Sequence, residues 1–233
     1  MTAHGMTGVA DAGAFLARLV RLDRQVLVRL RSAGERTALW ALLPWGVLVT
    51  REVAGPGPGD ATVSAADLLA VLARGGPELP ARRDSDWRWP LPPARSTVVE
   101  SVAAAELSRL ATAAAGTLRE VAAGGLAGRS VGQRAVRDAL LDHVALVVTP
   151  AAAGPVEVSQ RLVQASSRMG FLGPADEDGQ CVRVCGGTLG GSFCTIWSRM
   201  ATAGQRIDRY AYRGSPERVM RHRSSGRALP LRG

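Results

Sequence analysis

Few side chains in this 233-residue chain have the type and spacing that chemistry needs. Asp142-His143 looks most like a catalytic couple, but helix neighbours point about 100° apart, so Asp142 is poorly placed to orient the adjacent imidazole. His143, beside Leu140 and Val144, reads as a packed core histidine. His4 and His222 fall near the chain ends, where a metal cluster has little to recruit. Cys181 and Cys185 are spaced like ligands until they are placed on an element. On a strand they sit roughly 13 Å apart at ~3.3 Å per residue, whereas both thiolates must come within about 2.3 Å of one zinc. Cys194 would be a third ligand with no fourth, so no metal site is expected. Gly186-Gly-Thr-Leu-Gly-Gly191 lacks the closing Gly-Lys-Ser/Thr of a phosphate loop and predicts a hairpin turn. Serine-hydrolase, zinc-protease and dinucleotide-binding signatures are missing as well. These residues predict a non-enzymatic protein with no catalytic residues and no cofactor.

Two groups of residues are better suited to binding. Trp87-Arg-Trp89-Pro-Leu-Pro-Pro93 sets two tryptophans on one side of an extended, proline-rich segment. It is either an aromatic strap over the core or a docking segment for a protein partner, with Trp87 and Trp89 as the contacts. Pro155 to Cys185 has the order of a recognition helix and wing. Helix 158–169 offers Arg161 and Arg168, and 181–185 with 189–197 forms a hairpin. Only Thr149 to Pro155 lies where the middle helix of a winged-helix domain belongs, so a structural helix docking Leu162, Val163 and Met169 competes with a DNA reader.

The elements that carry these groups follow from periodicity. Residues 11–24 put Phe15, Leu16, Leu19, Val20 and Leu22 on one helical face, with Arg18, Arg21 and Arg24 opposite. From Val26 to Val53 the period changes to two and predicts a three-stranded antiparallel meander, its middle strand, 37–43, buried on both faces. Gly55-Pro-Gly-Pro-Gly59 is a break. Ser64-Ala-Ala-Asp67 forms a capping box for helix 65–74, closed by Gly75-Gly76. Further helices are expected over 101–121 and 130–148, the two pairing antiparallel.

Charge divides the chain unevenly. All 29 basic residues are arginine, lysine and asparagine are absent, and isoleucine occurs only at 196 and 207, which is the mark of a GC-rich genome. Residues 1–180 hold 19 Arg against 18 acids, while 181–233 hold 10 Arg against Asp208 and Glu217. The net +9 therefore sits almost wholly in the last quarter. There, Arg206, Arg209, Arg221 and Arg223 belong either to a disordered arm that binds nucleic acid through its phosphates or to an out-of-frame terminus without selected function.

Three cysteines and no basic-then-apolar leader predict a cytoplasmic protein with reduced thiols. The most apolar run, Thr37–Thr50, falls short of the ~20 residues a membrane helix needs.

FLARLVRLD, LLPWGVLVTREV, DWRWPLPP, VRDALLDHVALVV and RLVQASSRMGFLG together resemble an uncharacterised family of conserved actinobacterial, Streptomyces-type proteins, over roughly residues 11–185. That resemblance agrees with the GC signature and implies no activity or site residues.

The expected protein is α/β (α+β) and mainly helical. An N-terminal α+β domain, 1–95, carries a helix and the meander. A winged-helix-like helical domain follows over 96–200, then a basic disordered tail, 201–233. It acts through an unknown protein partner or self-association, with nucleic acid as the alternative partner, an enzyme of unidentified class as the second alternative, and no membrane.

Overall fold

The computed structural model describes residues 2–92, 97–124, 133–149, 155–173, 181–188, 192–202 and 205–214. Ala12, Phe15, Leu16 and Leu19 form the buried stripe of α1 (Val9–Leu22), and Asp23, in extended backbone, ends it. The switch to period two then gives the expected antiparallel meander, β1 (Leu27–Ala33), β2 (Arg36–Leu42) and β3 (Leu48–Ala54). One expectation is corrected here. In β2 only Thr37, Leu39 and Ala41 are buried while Ala38, Trp40 and Leu42 remain half exposed, so the strand buried on both faces is the first half of β3.

After the glycine-proline break comes a strand that the periodicity did not predict, β4 (Asp60–Ser64), which pairs with the far edge of β1. It runs without interruption into α2 (Ala65–Ala73), where Ser64 Oγ accepts from the Asp67 amide at 3.3 Å, one half of the expected capping box. His4 is not a loose end. Its Nδ1 accepts from the Met6 amide at 3.1 Å, which leaves the proton on Nε2 to bond the Gly76 carbonyl, also 3.1 Å away.

The second half departs further from the helical expectation. The helix read over 101–121 begins as β5 (Thr97–Ala103) and continues as α3 (Ala104–Gly124). In the helix read over 130–148, α4 (Gln133–Asp142) stops at His143, and the valine-rich run Val144–Val148 becomes β6. Helix 158–169 is shortened to α5 (Gln160–Arg168), and its leading residues form β7 (Val156–Ser159), paired antiparallel with β6. The predicted wing is a hairpin of β8 (Cys181–Thr188) and β9 (Ser192–Thr202), but it is not a free wing: β5 pairs with β8 on one side and β10 (Gln205–Gly214) with β9 on the other. Gln205–Gly214 thus runs as a strand within the stretch that charge marked as tail. The protein is a mixed α/β structure with five helices among the described residues, rather than a mainly helical one.

The large sheet has the order β4-β1-β2-β3-β10-β9-β8-β5, and all its pairings are antiparallel. That order has an approximate two-fold, centred between β3 and β10. On each side a helix (α1 or α5) leads into a three-stranded meander, and the outermost strand (β4 or β5) runs straight into a second helix (α2 or α3). The helices follow the same symmetry, α1 packing on α2 and β3, α5 on α3 and β10. One continuous core joins Leu16, Leu19, Leu39 and Leu68 of the first half with Leu107, Leu162, Val163 and Met169 of the second.

Candidate interaction surface

At the outer side of β4, the run Arg82-Arg83-Asp84-Ser85-Asp86 forms a single 3-10 turn over Asp84–Asp86 that closes the strand's edge. The Arg83 amide donates to the Thr62 carbonyl and the Thr62 amide to Asp84 Oδ1, both at 2.7 Å, while Arg82 Nη2 donates to the Asp60 carbonyl at 2.7 Å. Backbone groups that would pair with a further strand are taken by the chain itself. Carboxylates hold the turn in place. Asp60 receives Arg29 in a two-pronged bond, Nε to Oδ1 and Nη2 to Oδ2, both 2.8 Å. The bond from Arg29 pushes the Asp60 pKa below its ordinary value, and the reciprocal bond raises that of Arg29. Asp84 is lowered first by the Thr62 amide it accepts and then by Arg82.

The turn delivers the chain to the predicted tryptophans. Arg29 lies 5.9 Å from the centre of the Trp87 ring, and Trp87 Nε1 donates to the Trp89 carbonyl at 2.6 Å. Trp87 is half-buried against the Arg29 guanidinium. Trp89 is different, 48% exposed and followed by exposed Pro90. Arg88 between them is exposed.

The arginines of the recognition-helix reading do not act together. Arg161 is only 15% exposed, and its Nε, Nη2 and Nη1 donate to Asp142 Oδ1, Asp142 Oδ2 and the Trp45 carbonyl at 2.8, 2.9 and 3.0 Å. The pair raises the Arg161 pKa, chiefly through the Asp142 bond. Arg168 is exposed at the end of α5. Arg206 and Arg209 lie on β10, where Arg209 stands opposite Arg51 of β3, and Arg221 and Arg223 lie outside the described residues. His143 is exposed, not a core residue: α4 ends one residue before it, and it lines an apolar cleft of about 410 Å³ with Val121, Val136 and Leu140. Among the described residues no three His, Cys, Asp or Glu side chains gather as metal ligands, and no helix is long and apolar enough to cross a membrane. The edge-closing role of Arg82, Arg83 and Asp84 was missed. Its available signal was a dense polar run, which sequence reasoning takes for an ordinary solvated loop.

Residues 2–89 match the model of a domain of unknown function, DUF8010, and residues 91–204 match that of another domain of unknown function, DUF8185. Together these support an uncharacterised family. No curated protein matches the chain. Among solved structures, PCNA from Thermococcus kodakaraensis is similar at 10% identity and a TM-score of 0.43, covering 92% of this chain and 100% of its own. The H. pylori beta clamp in complex with 5-chloroisatin is similar at 8% identity and a TM-score of 0.44, over 90% of this chain and 64% of the clamp.

Proposed function

We propose that this chain of two adjacent uncharacterised domains is an interaction module, without catalysis of its own, that works through protein contacts and offers Trp89 to Pro92 as its contact segment. The observation that carries this reading is the contrast between the two tryptophans. Trp87 is held under Arg29, while Trp89 stays 48% exposed on a backbone pinned just upstream. A tryptophan buries on the order of 150–250 Å² of surface when covered, and one held in advance on stiff, proline-rich backbone gives up little entropy on binding. Such residues dominate interface energetics. The surroundings favour a partner with an apolar pocket and an acidic group at its rim, since Arg88 is exposed between the two tryptophans, whereas Arg31, Arg82 and Arg83 are paired with Asp60, Asp84 and Asp86.

Nucleic acid is the lesser reading, because every donor group of Arg161 that could face a phosphate is already engaged by Asp142 and Trp45. The test is to isolate a stoichiometric complex with the full chain from its source cells and measure that affinity for Trp89→Ala and Arg88→Glu. Trp89→Ala should weaken it about 10- to 100-fold, and Arg88→Glu should weaken it most at low salt. Affinities unchanged by both substitutions would sink the reading.

A further inference from the structure

We infer that the outer edge of β5 is an association surface for a second copy of this chain, which it takes up by antiparallel β5-to-β5 pairing about a two-fold axis. The two ends of the sheet are topologically equivalent but differently finished. At β4 the backbone of Asp60 and Thr62 is occupied by Arg82, Arg83 and Asp84. At β5 the inner edge pairs with β8, and among the described residues no strand or turn pairs with the outer edge. An open strand edge presents a row of unpaired amides and carbonyls that templates another strand. Among the β5 residues whose exposure is described, Glu100, Ser101 and Ala103 are exposed, and Ser101 and Ala103, which share a face, are small.

The same asymmetry selects the occupant. Head-to-tail growth would need β5 of one copy to reach β4 of the next, and β4 is closed. Within the eight-stranded, all-antiparallel sheet, where β5 is the one open edge among the described residues, the self-complementary arrangement is β5 on β5, which is complete at two copies. The seam between β3 and β10 already joins the two like halves by antiparallel pairing. This inference rests on sheet topology and not on the tryptophan strap, so either can fail alone.

Sedimentation equilibrium of the full chain over a wide concentration range tests it. The expected result is a reversible step from 24.4 kDa to twice that mass with no larger species. Ser101→Arg with Ala103→Arg brings like charges face to face across the joint and should weaken the dimer at least about tenfold. Circular dichroism and thermal melting of the variant establish that it still folds. Trp89→Ala should leave the dimer intact, and amides of 97–103 should gain hydrogen-exchange protection as concentration rises. A monomer at every concentration, an open-ended ladder, a dimer indifferent to the β5 substitutions, or unchanged exchange over 97–103 would each overturn the inference.

Discussion

Arg161 donates to both carboxylate oxygens of Asp142, at 2.8 and 2.9 Å, and its third nitrogen reaches the carbonyl of Trp45 at 3.0 Å. One side chain thereby ties the end of α4 and the start of α5 to the β2–β3 turn of the other half. Asp142 is 52% exposed, which limits the electrostatic value of the pair, but the two-pronged geometry and the low exposure of Arg161 favour a measurable contribution. Asp142→Ala should cost about 1 kcal/mol or less. Arg161→Ala should cost about 1–3 kcal/mol, because it also strips the Trp45 carbonyl of its donor. Urea denaturation of both single variants and the double variant checks this. Fully additive losses would show that the two side chains do not stabilise one another.

That contact explains where sequence reading stopped. α1, the meander and α2 were legible because one strong period, a capping serine and a closing glycine act together over short spans. Arg161 read as a free cation because its partner lies on a separate helix, with no local spacing to announce it. The Val144–Val148 run continues the apolar spacing of α4 well enough to pass for helix, and only its β-branched density marks a strand. In β10 the apolar residues Ile207, Tyr210 and Tyr212 keep no common two-residue period and lie among arginines, so no alternation marks the strand. The β4 edge closure depends on a tertiary match between residues 82–84 and Asp60 and Thr62, which no periodicity encodes.

Acid should loosen that closure. Asp60 and Asp84 both have pKa values lowered from 3.8 by the bonds they accept. A carboxylate depressed in the folded state adds stability that is present above its unfolded value and is lost as pH falls through the folded one. The urea midpoint should therefore be flat above about pH 5 and decline below about pH 4. Asp84→Ala should remove part of that decline. It should also leave the Thr62 amide open and allow association through β4, seen as species larger than a dimer in light scattering. A variant with the same acid profile and the same mass as the parent would refute the closing role of Asp84.

Gly55 should tolerate no side chain. Its φ is +112°, and a Cβ there would collide with the backbone of Gly5 and Met6. The residue is also fixed from both sides: its amide donates to the Glu35 carbonyl at 2.9 Å, and its carbonyl accepts from Thr37 Oγ1 at 2.7 Å. Gly55→Ala is expected to cost at least about 2 kcal/mol through strain and displacement of the N-terminal segment. Thermal melting would show it as a drop of several degrees. A drop within experimental error would mean that residues 5–7 yield freely.

Ser64 and Ser159 stand at the same point of two like junctions, each the last residue of a strand that becomes a nine-residue helix, with Gly75 and Gly170 at matching distances beyond them at φ +67° and +66°. Their side chains do different things. Ser64 Oγ accepts from the amide of Asp67, whereas Ser159 makes no capping bond and its Oγ is buried without a partner among the described residues. Removing a working cap costs about 1 kcal/mol, while removing a buried hydroxyl that lacks a partner relieves a desolvation penalty. Ser64→Ala should thus destabilise the protein by about 1 kcal/mol, and Ser159→Ala should be neutral or slightly stabilising. Chemical denaturation of the two variants side by side decides the matter. Equal losses at the two serines would mean that Ser159 caps α5 after all.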